Sequence, residues 1–151
     1  MSVGSVCNRE VIVADKDSGI VDVARLMREY HVGSVVVTQR NGDGVRPIGI
    51  VTDRDLVVEV LAQEMDPKAV VLEDLMTHYP LVAAEDDEVE DAVELMRAKG
   101  VRRVPVVDKR GFVIGILAMD DLLWVLSREF ESIVSLVERQ QKNEEKRRRP
   151  H

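Results

Sequence analysis

Apolar residues fall along this chain in two alternating rhythms. Ile20, Val23, Ala24 and Met27 are spaced three and four apart, and so are Val89, Ala92, Val93 and Met96, which predicts two amphipathic helices. After each helix the pattern changes to a β-branched run, Ser34–Thr38 or Val104–Val107. An apolar run follows, Ile48–Val51 or Val113–Leu117, and all four runs read as strands. Glycine-bearing turns separate the strands of each pair: Asn41-Gly42-Asp43-Gly44 in one case, Lys109-Arg110-Gly111 in the other. Short apolar stretches, Val11–Ala14 and Leu81–Ala84, precede the helices. Further helices begin near Asp53 and near Met119.

The whole order occurs twice. A shift of 69 positions lays Val13-Ala14 on Val82-Ala83, Leu26-Met27-Arg28 on Leu95-Met96-Arg97, and Val35 and Val37 on Val104 and Val106. Past the shorter second turn, Ile48-Gly49-Ile50 meets Ile114-Gly115-Ile116, and Asp55-Leu56 meets Asp121-Leu122. Two copies are too few for a solenoid. The pattern predicts an α/β (α+β) fold of two β-α-β-β-α units related by a pseudo-twofold axis, plus a C-terminal helical extension. A helix between two strands favours parallel pairing, and the tight turn makes a hairpin. The expected divisions are unit 1 at 5–64, a connection at 65–79 with Asp66-Pro67 as its turn signal, unit 2 at 80–126, and a helix with a basic tail at 127–151.

Composition narrows the class. Of 151 residues, 45% are hydrophobic, 32% charged and only 3% aromatic, so the expected core is aliphatic and the chain globular. The lone Cys7 excludes an internal disulfide framework and a cysteine-based zinc site. The start carries no secretory pattern and no stretch has the roughly 18 apolar residues of a membrane span, so a cytoplasmic protein without membrane partners is expected. A net charge of −7 argues against general nucleic-acid binding.

Several motifs now agree in order and spacing. They are Gly49-Ile50-Val51-Thr52-Asp53-Arg54-Asp55-Leu56 in the first copy, and Asp74-Leu75-Met76-Thr77, Val101-Arg102-Arg103-Val104-Pro105-Val106-Val107-Asp108 and Gly115-Ile116-Leu117 in the second. Over residues 5–126 the chain resembles a tandem cystathionine-β-synthase (CBS) domain pair. The resemblance implies a non-catalytic regulatory module that binds AMP, ADP or ATP in clefts between the units. Some members take S-adenosylmethionine or NAD-type ligands. It also implies a homodimer acting on a regulated protein that the sequence does not name. No cofactor is required; the adenine nucleotide is the regulatory ligand.

Carried over residue by residue, the stronger cleft comprises Thr52, Asp55 and Ile50 from the first unit with Tyr79, Pro80, Leu81, Val82, Arg102 and Arg103 from the second. Asp55 would hold the ribose, and Arg102 and Arg103 would face phosphate, which suits the fixed donor fork of a guanidinium. Thr52-x-x-Asp55 just before an apolar helix is also close to a capping box. The two readings are compatible, because a ribose can take the capping carboxylate. The weaker cleft comprises Asp121 and Ile116 with Val11, Ile12, Val13, Gly33 and Ser34. There Ala118 stands in place of the threonine, and Gly33-Ser34 carries no charge where Arg102-Arg103 carries two. A structural dimerisation module with degenerate clefts is the alternative.

Other candidates carry less. His31 and His78 lack partners at metal-ligand spacing and read as helix-end or loop residues. Glu85-Asp86-Asp87-Glu88 reads as an acidic first helical turn. The serines and Cys7 sit in no nucleophile-elbow or Cys–His arrangement, so no catalytic machinery is expected. In the tail, Leu123, Leu126, Phe130, Ile133 and Val137 form an a/d stripe about two heptads long, open to a coiled coil or to cover over the module's own helices. Beyond it the sequence is polar and ends basic.

Overall fold

The computed structural model describes residues 1–76 and 81–148. It divides into a body, Met1–Ala118, and a second unit that begins at Met119.

In the body, α1 (Val3–Val6) precedes β1 (Val13–Asp15), α2 (Ile20–Tyr30), β2 (Ser34–Asn41) and β3 (Gly44–Thr52). A helical segment follows, α3 (Asp53–Asp55) widening into Leu56–Leu61, where Ala62 N–H reaches Val57 C=O at 2.9 Å, five residues back. After a 3₁₀ turn at Pro67–Ala69 come α4 (Leu72–Leu75), β4 (Ala83–Ala84), α5 (Val89–Lys99), β5 (Arg103–Val107) and β6 (Val113–Ala118). Each copy folds its strands into a three-stranded sheet, β1-β2-β3 and β4-β5-β6. The first pair in each sheet is parallel, across the helix, and the second is an antiparallel hairpin.

The likeness of the copies extends to irregularities. Both ladders slip at equivalent rungs, between Val37 and Thr38 and between Val106 and Val107, which bulges the third strand beside Gly49 and Gly115. Helix α2 stops at His31 with φ 53°, and α5 stops 69 positions later at Gly100 with φ 65°. Both are left-handed caps, which glycine adopts freely and histidine at some cost. Central strand β2 is buried continuously from Val35 to Thr38. The Thr38 hydroxyl is satisfied there by the Ala14 carbonyl at 3.3 Å.

What closes each core comes from outside its own repeat. In the first core, Val70 and Leu72 join Ala14, Ile20, Val23, Met27, Val35, Val37, Val51 and Val60. Leu72 N–H donates to Ser18 C=O at 3.0 Å, and Ile20 N–H to Val70 C=O at 3.1 Å. The matching bonds, with both partners displaced by 69 positions in opposite directions, join Val3 N–H to Asp87 C=O at 2.8 Å and Val89 N–H to Met1 C=O at 2.9 Å. So α4 closes the first repeat and α1 closes the second. Sequence reading treats Met65–Tyr79 as a connection and passes over α1, because four-residue helices are too short for periodicity to register. Fully burying a Leu or Val side chain stabilises by about 1.5–3 kcal/mol.

The two sheets approach each other along β3 and β6, and their hairpin turns meet. Phe112 lies against Gly44, with the guanidinium carbons of Arg46 and Arg110 at 5.3 and 4.8 Å from its ring centroid.

The second unit is one helix as far as it is described, α6 (Met119–Arg148). Its five stripe residues, Leu123, Leu126, Phe130, Ile133 and Val137, are all exposed, between 48% and 68%.

Candidate functional site

The chain leaves β3 at Thr52, in extended geometry (φ −108°, ψ 163°), and turns directly into α3. Thr52 N–H donates to Asp55 Oδ2 at 2.8 Å, and Asp55 N–H donates to Thr52 Oγ1 at 3.2 Å. The capping box is therefore formed. Both side chains are half-buried, as is Ile50 two residues back on the same strand. The box leaves chemical capacity in place. A carboxylate has about four acceptor positions, of which Thr52 N–H takes one, and the threonine proton is not consumed when its oxygen accepts.

The start of β2 lines up with this junction. Ser34 is the rung partner of Thr52, and the Gly33 carbonyl accepts from Asp53 N–H at 3.0 Å. Gly33 is also confined: a Cβ there would stand 3.3 Å from Asp53 Oδ2. The structure thus gathers Thr52, Asp53, Asp55, Gly33 and Ser34 at one end of the first sheet. In the second sheet the equivalent rung joins Arg103 to Ala118. Arg103 is half-buried at the head of β5 and Arg102, just before it, is exposed. Leu81 and Val82 are half-buried ahead of β4, whereas Tyr79 and Pro80 lie outside the described residues.

Of the weaker cleft's residues, Val11 and Ile12 are half-buried and Val13 is exposed at the start of β1. Ile12 also packs against the first core. Ile116 is tied by reciprocal backbone bonds to Asn8, each 2.9 Å. Asp121 is the third residue of α6.

The remaining described candidates take structural roles, although Glu85–Glu88 precedes α5, with Glu88 at its N-cap, and does not form its first turn. His31 caps α2, its backbone N–H donating to Met27 C=O, while His78 lies outside the described residues. In the acidic run, Asp87 accepts from Ala84 N–H at 2.8 Å, and Glu85 and Asp86 face Arg9 and Lys109 at 3.9 and 3.6 Å. Among the described residues no group of three or more His, Cys, Asp or Glu gathers as metal ligands, and no helix is long and apolar enough to cross a membrane. Burial pushes the Cys7 thiol up from its ordinary range, partly offset by Arg9. That is the opposite direction from the one a nucleophilic thiolate needs. Sequence reading misses Asp53 and the proximity of Gly33 to Thr52, since the two segments meet only through the β2–β3 pairing.

A family model for the CBS domain matches the chain twice, over residues 3–62 and 72–128. The chain belongs to the CBS domain family. The starts of its two CBS units differ by 69 positions, and the matched spans begin at α1 and α4. An uncharacterized protein of Methanopyrus kandleri is 43% identical over 125 residues, covering 83% of this chain and 62% of that relative's length. The hexameric CBS-CP12 protein from bloom-forming cyanobacteria has a similar structure, with a TM-score of 0.70 and 26% identity over 82% of this chain and 69% of that one. A CBS domain pair solved with 5′-methylthioadenosine and S-adenosyl-L-methionine superimposes with a TM-score of 0.73 over 85% of this chain and 98% of that one. Its identity is 23%, so the likeness is one of fold. CBS domain pairs are regulatory modules.

Proposed function

We propose that this chain is an adenine-nucleotide sensor without catalysis of its own, working as a homodimer in the cytoplasm. The reading rests on the Thr52–Asp55 junction. It offers a half-buried carboxylate with acceptor positions to spare, a hydroxyl proton and the start of a helical segment, next to the apolar Ile50. A ribose diol suits the carboxylate, and an adenine base suits an aliphatic wall. Phosphate suits the helix start together with Arg102 and Arg103, which would contribute from the other CBS unit. Occupancy would change the relation of the two units, and a partner protein would read that change. The methylthioadenosine and S-adenosylmethionine complex of a CBS pair with this fold supports an adenosine-containing ligand, and makes sulfonium nucleosides the second reading.

Calorimetric titration with AMP, ATP, adenosine and S-adenosylmethionine tests this. The nucleotides are expected to bind more tightly than adenosine, by a margin that shrinks with added salt. Asp55→Ala should weaken nucleotide binding by about 1.5–3 kcal/mol, the scale of a hydrogen bond to a charged group, and Asp121→Ala by much less. Equal losses at the two positions would overturn the assignment of the site. Equal affinity for adenosine and AMP would remove the arginines from it. Binding of none of the four would leave the chain a structural module.

A further inference from the structure

We infer that α6 pairs with α6 of a second copy in antiparallel register, Phe130 of each chain packing on Ile133 of the other. The inference rests on the homodimer reading above and supplies its contact surface.

Three observations carry it. The stripe Leu123, Leu126, Phe130, Ile133 and Val137 keeps a and d spacing and is exposed throughout, Phe130 to 68%. Val134 and Leu136 widen it and are exposed as well. An apolar face of this extent on a helix about 45 Å long marks an interaction surface. Nor is the helix a membrane span.

Charge selects the occupant and its direction. From 119 to 133 the helix carries Asp120, Asp121, Glu129 and Glu131 against the single Arg128. From 134 to 148 it carries Arg139, Lys142, Lys146, Arg147 and Arg148 against Glu138, Glu144 and Glu145. Parallel copies would lay acidic half on acidic half and basic on basic. Antiparallel copies remove both like-charge contacts, because the acidic half then lies against residues 134–144, where Glu138 and Glu144 balance Arg139 and Lys142.

The register follows from the stripe. A closed two-fold contact requires that if residue i meets residue j, then j meets i. With Phe130 opposite Ile133, Leu126 faces Val137, Leu123 faces Gln140, and Asp121 comes opposite Lys142. Four apolar layers result, flanked by Leu123 and Gln140, and nearly the whole helix is overlapped. Sliding by one heptad would oppose Leu126 to Phe130 and leave residues 138–148 beyond the partner helix, against only 145–148 in the register given.

The test is disulfide trapping in full-length chains carrying Cys7→Ser. Chains with Leu126→Cys and chains with Val137→Cys are mixed, allowed to exchange subunits, and oxidised. The mixture should give a covalent dimer, and neither variant alone should. In this register the two copies of residue 126 lie about 16 Å apart along the axis, beyond the roughly 7 Å that a disulfide spans. Phe130→Glu, measured by sedimentation, should raise the dimer dissociation constant at least 100-fold. Self-linking of either single variant, or no link in the mixture while the chain sediments as a dimer, would overturn the arrangement. A dimer that persists in Phe130→Glu would place the contact elsewhere and leave the homodimer reading standing. A wild-type monomer at micromolar concentration would end both.

Discussion

The ring of Phe112 occupies the space that a side chain on Gly44 would need. These two residues belong to the hairpin turns of different repeats. Around them, Asp43 and Arg110 approach to 3.5 Å, and a Cβ on Gly111 would meet the Arg46 guanidinium. The two halves of the body therefore interlock at their tips by shape as well as by charge.

Gly44→Ala should accordingly destabilise the chain by about 1–3 kcal/mol, the usual cost of forcing extra volume into a packed contact. In a Phe112→Ala background the same change should cost little, because the atoms it collides with are gone. Denaturant unfolding of the four proteins in this cycle measures the coupling. Additive losses would mean that Gly44 is needed for its backbone and not for the ring.

The crossed docking of α1 and α4 predicts where each core softens. Leu72→Ala should cost about 2–5 kcal/mol and speed hydrogen exchange first at the Ile20 amide, in the first repeat. Val3→Ala should act first at the amides of Val89 and Ile116, in the second repeat. Residue-resolved exchange by NMR would check it, and the reverse assignment would refute the crossing.

At the candidate site, stability and binding should separate. Thr52→Ala and Asp55→Ala each remove the same reciprocal cap, so each should cost about 0.5–2 kcal/mol and the double variant clearly less than the sum. Thr52→Ser keeps the hydroxyl and should restore most of both stability and nucleotide affinity. Thermal unfolding and calorimetry on the same samples would show it.

Asp108 gives the body a acid-sensitive turn. Its carboxylate accepts from Phe112 N–H at 3.0 Å and from Arg110 N–H and Nε at 2.9 and 3.3 Å. The Phe112 bond foremost, helped by Arg110, holds the carboxyl below its ordinary value despite some loss of hydration. The folded form thus binds its proton less readily than the unfolded chain. The stability it contributes is full above the ordinary aspartate range, near 3.9, and is lost as pH falls through the lowered value. As pH falls from neutral through and below the ordinary aspartate range, Asp108→Asn should lose less stability than the wild type. Unfolding midpoints across that range would decide it.

The strands, the two long helices of the body and the twofold repeat were legible in the sequence, since each rests on periodicity over eight or more residues or on a run of β-branched residues. The cap at Thr52 and Asp55 was legible too, because its partners stand three positions apart. What escaped is non-local or short. Nothing in the spacing of Gly44 and Phe112 announces that they touch, and nothing near Val3 says that its burial lies beyond residue 80. Gly33 joins the candidate site only because the β2–β3 ladder brings Ser34 beside Thr52.

A chain cut after residue 64 would not be half of this protein. It would hold a core with a gap where Val70 and Leu72 belong, and a leading helix whose seat is on the missing half. Two such fragments could each become whole only by handing that helix to the other. Tandem duplication places this handover inside one molecule, at the effective concentration of a tether. The first repeat can close once α4 is made, whereas the second waits on α1 from the far end of the body.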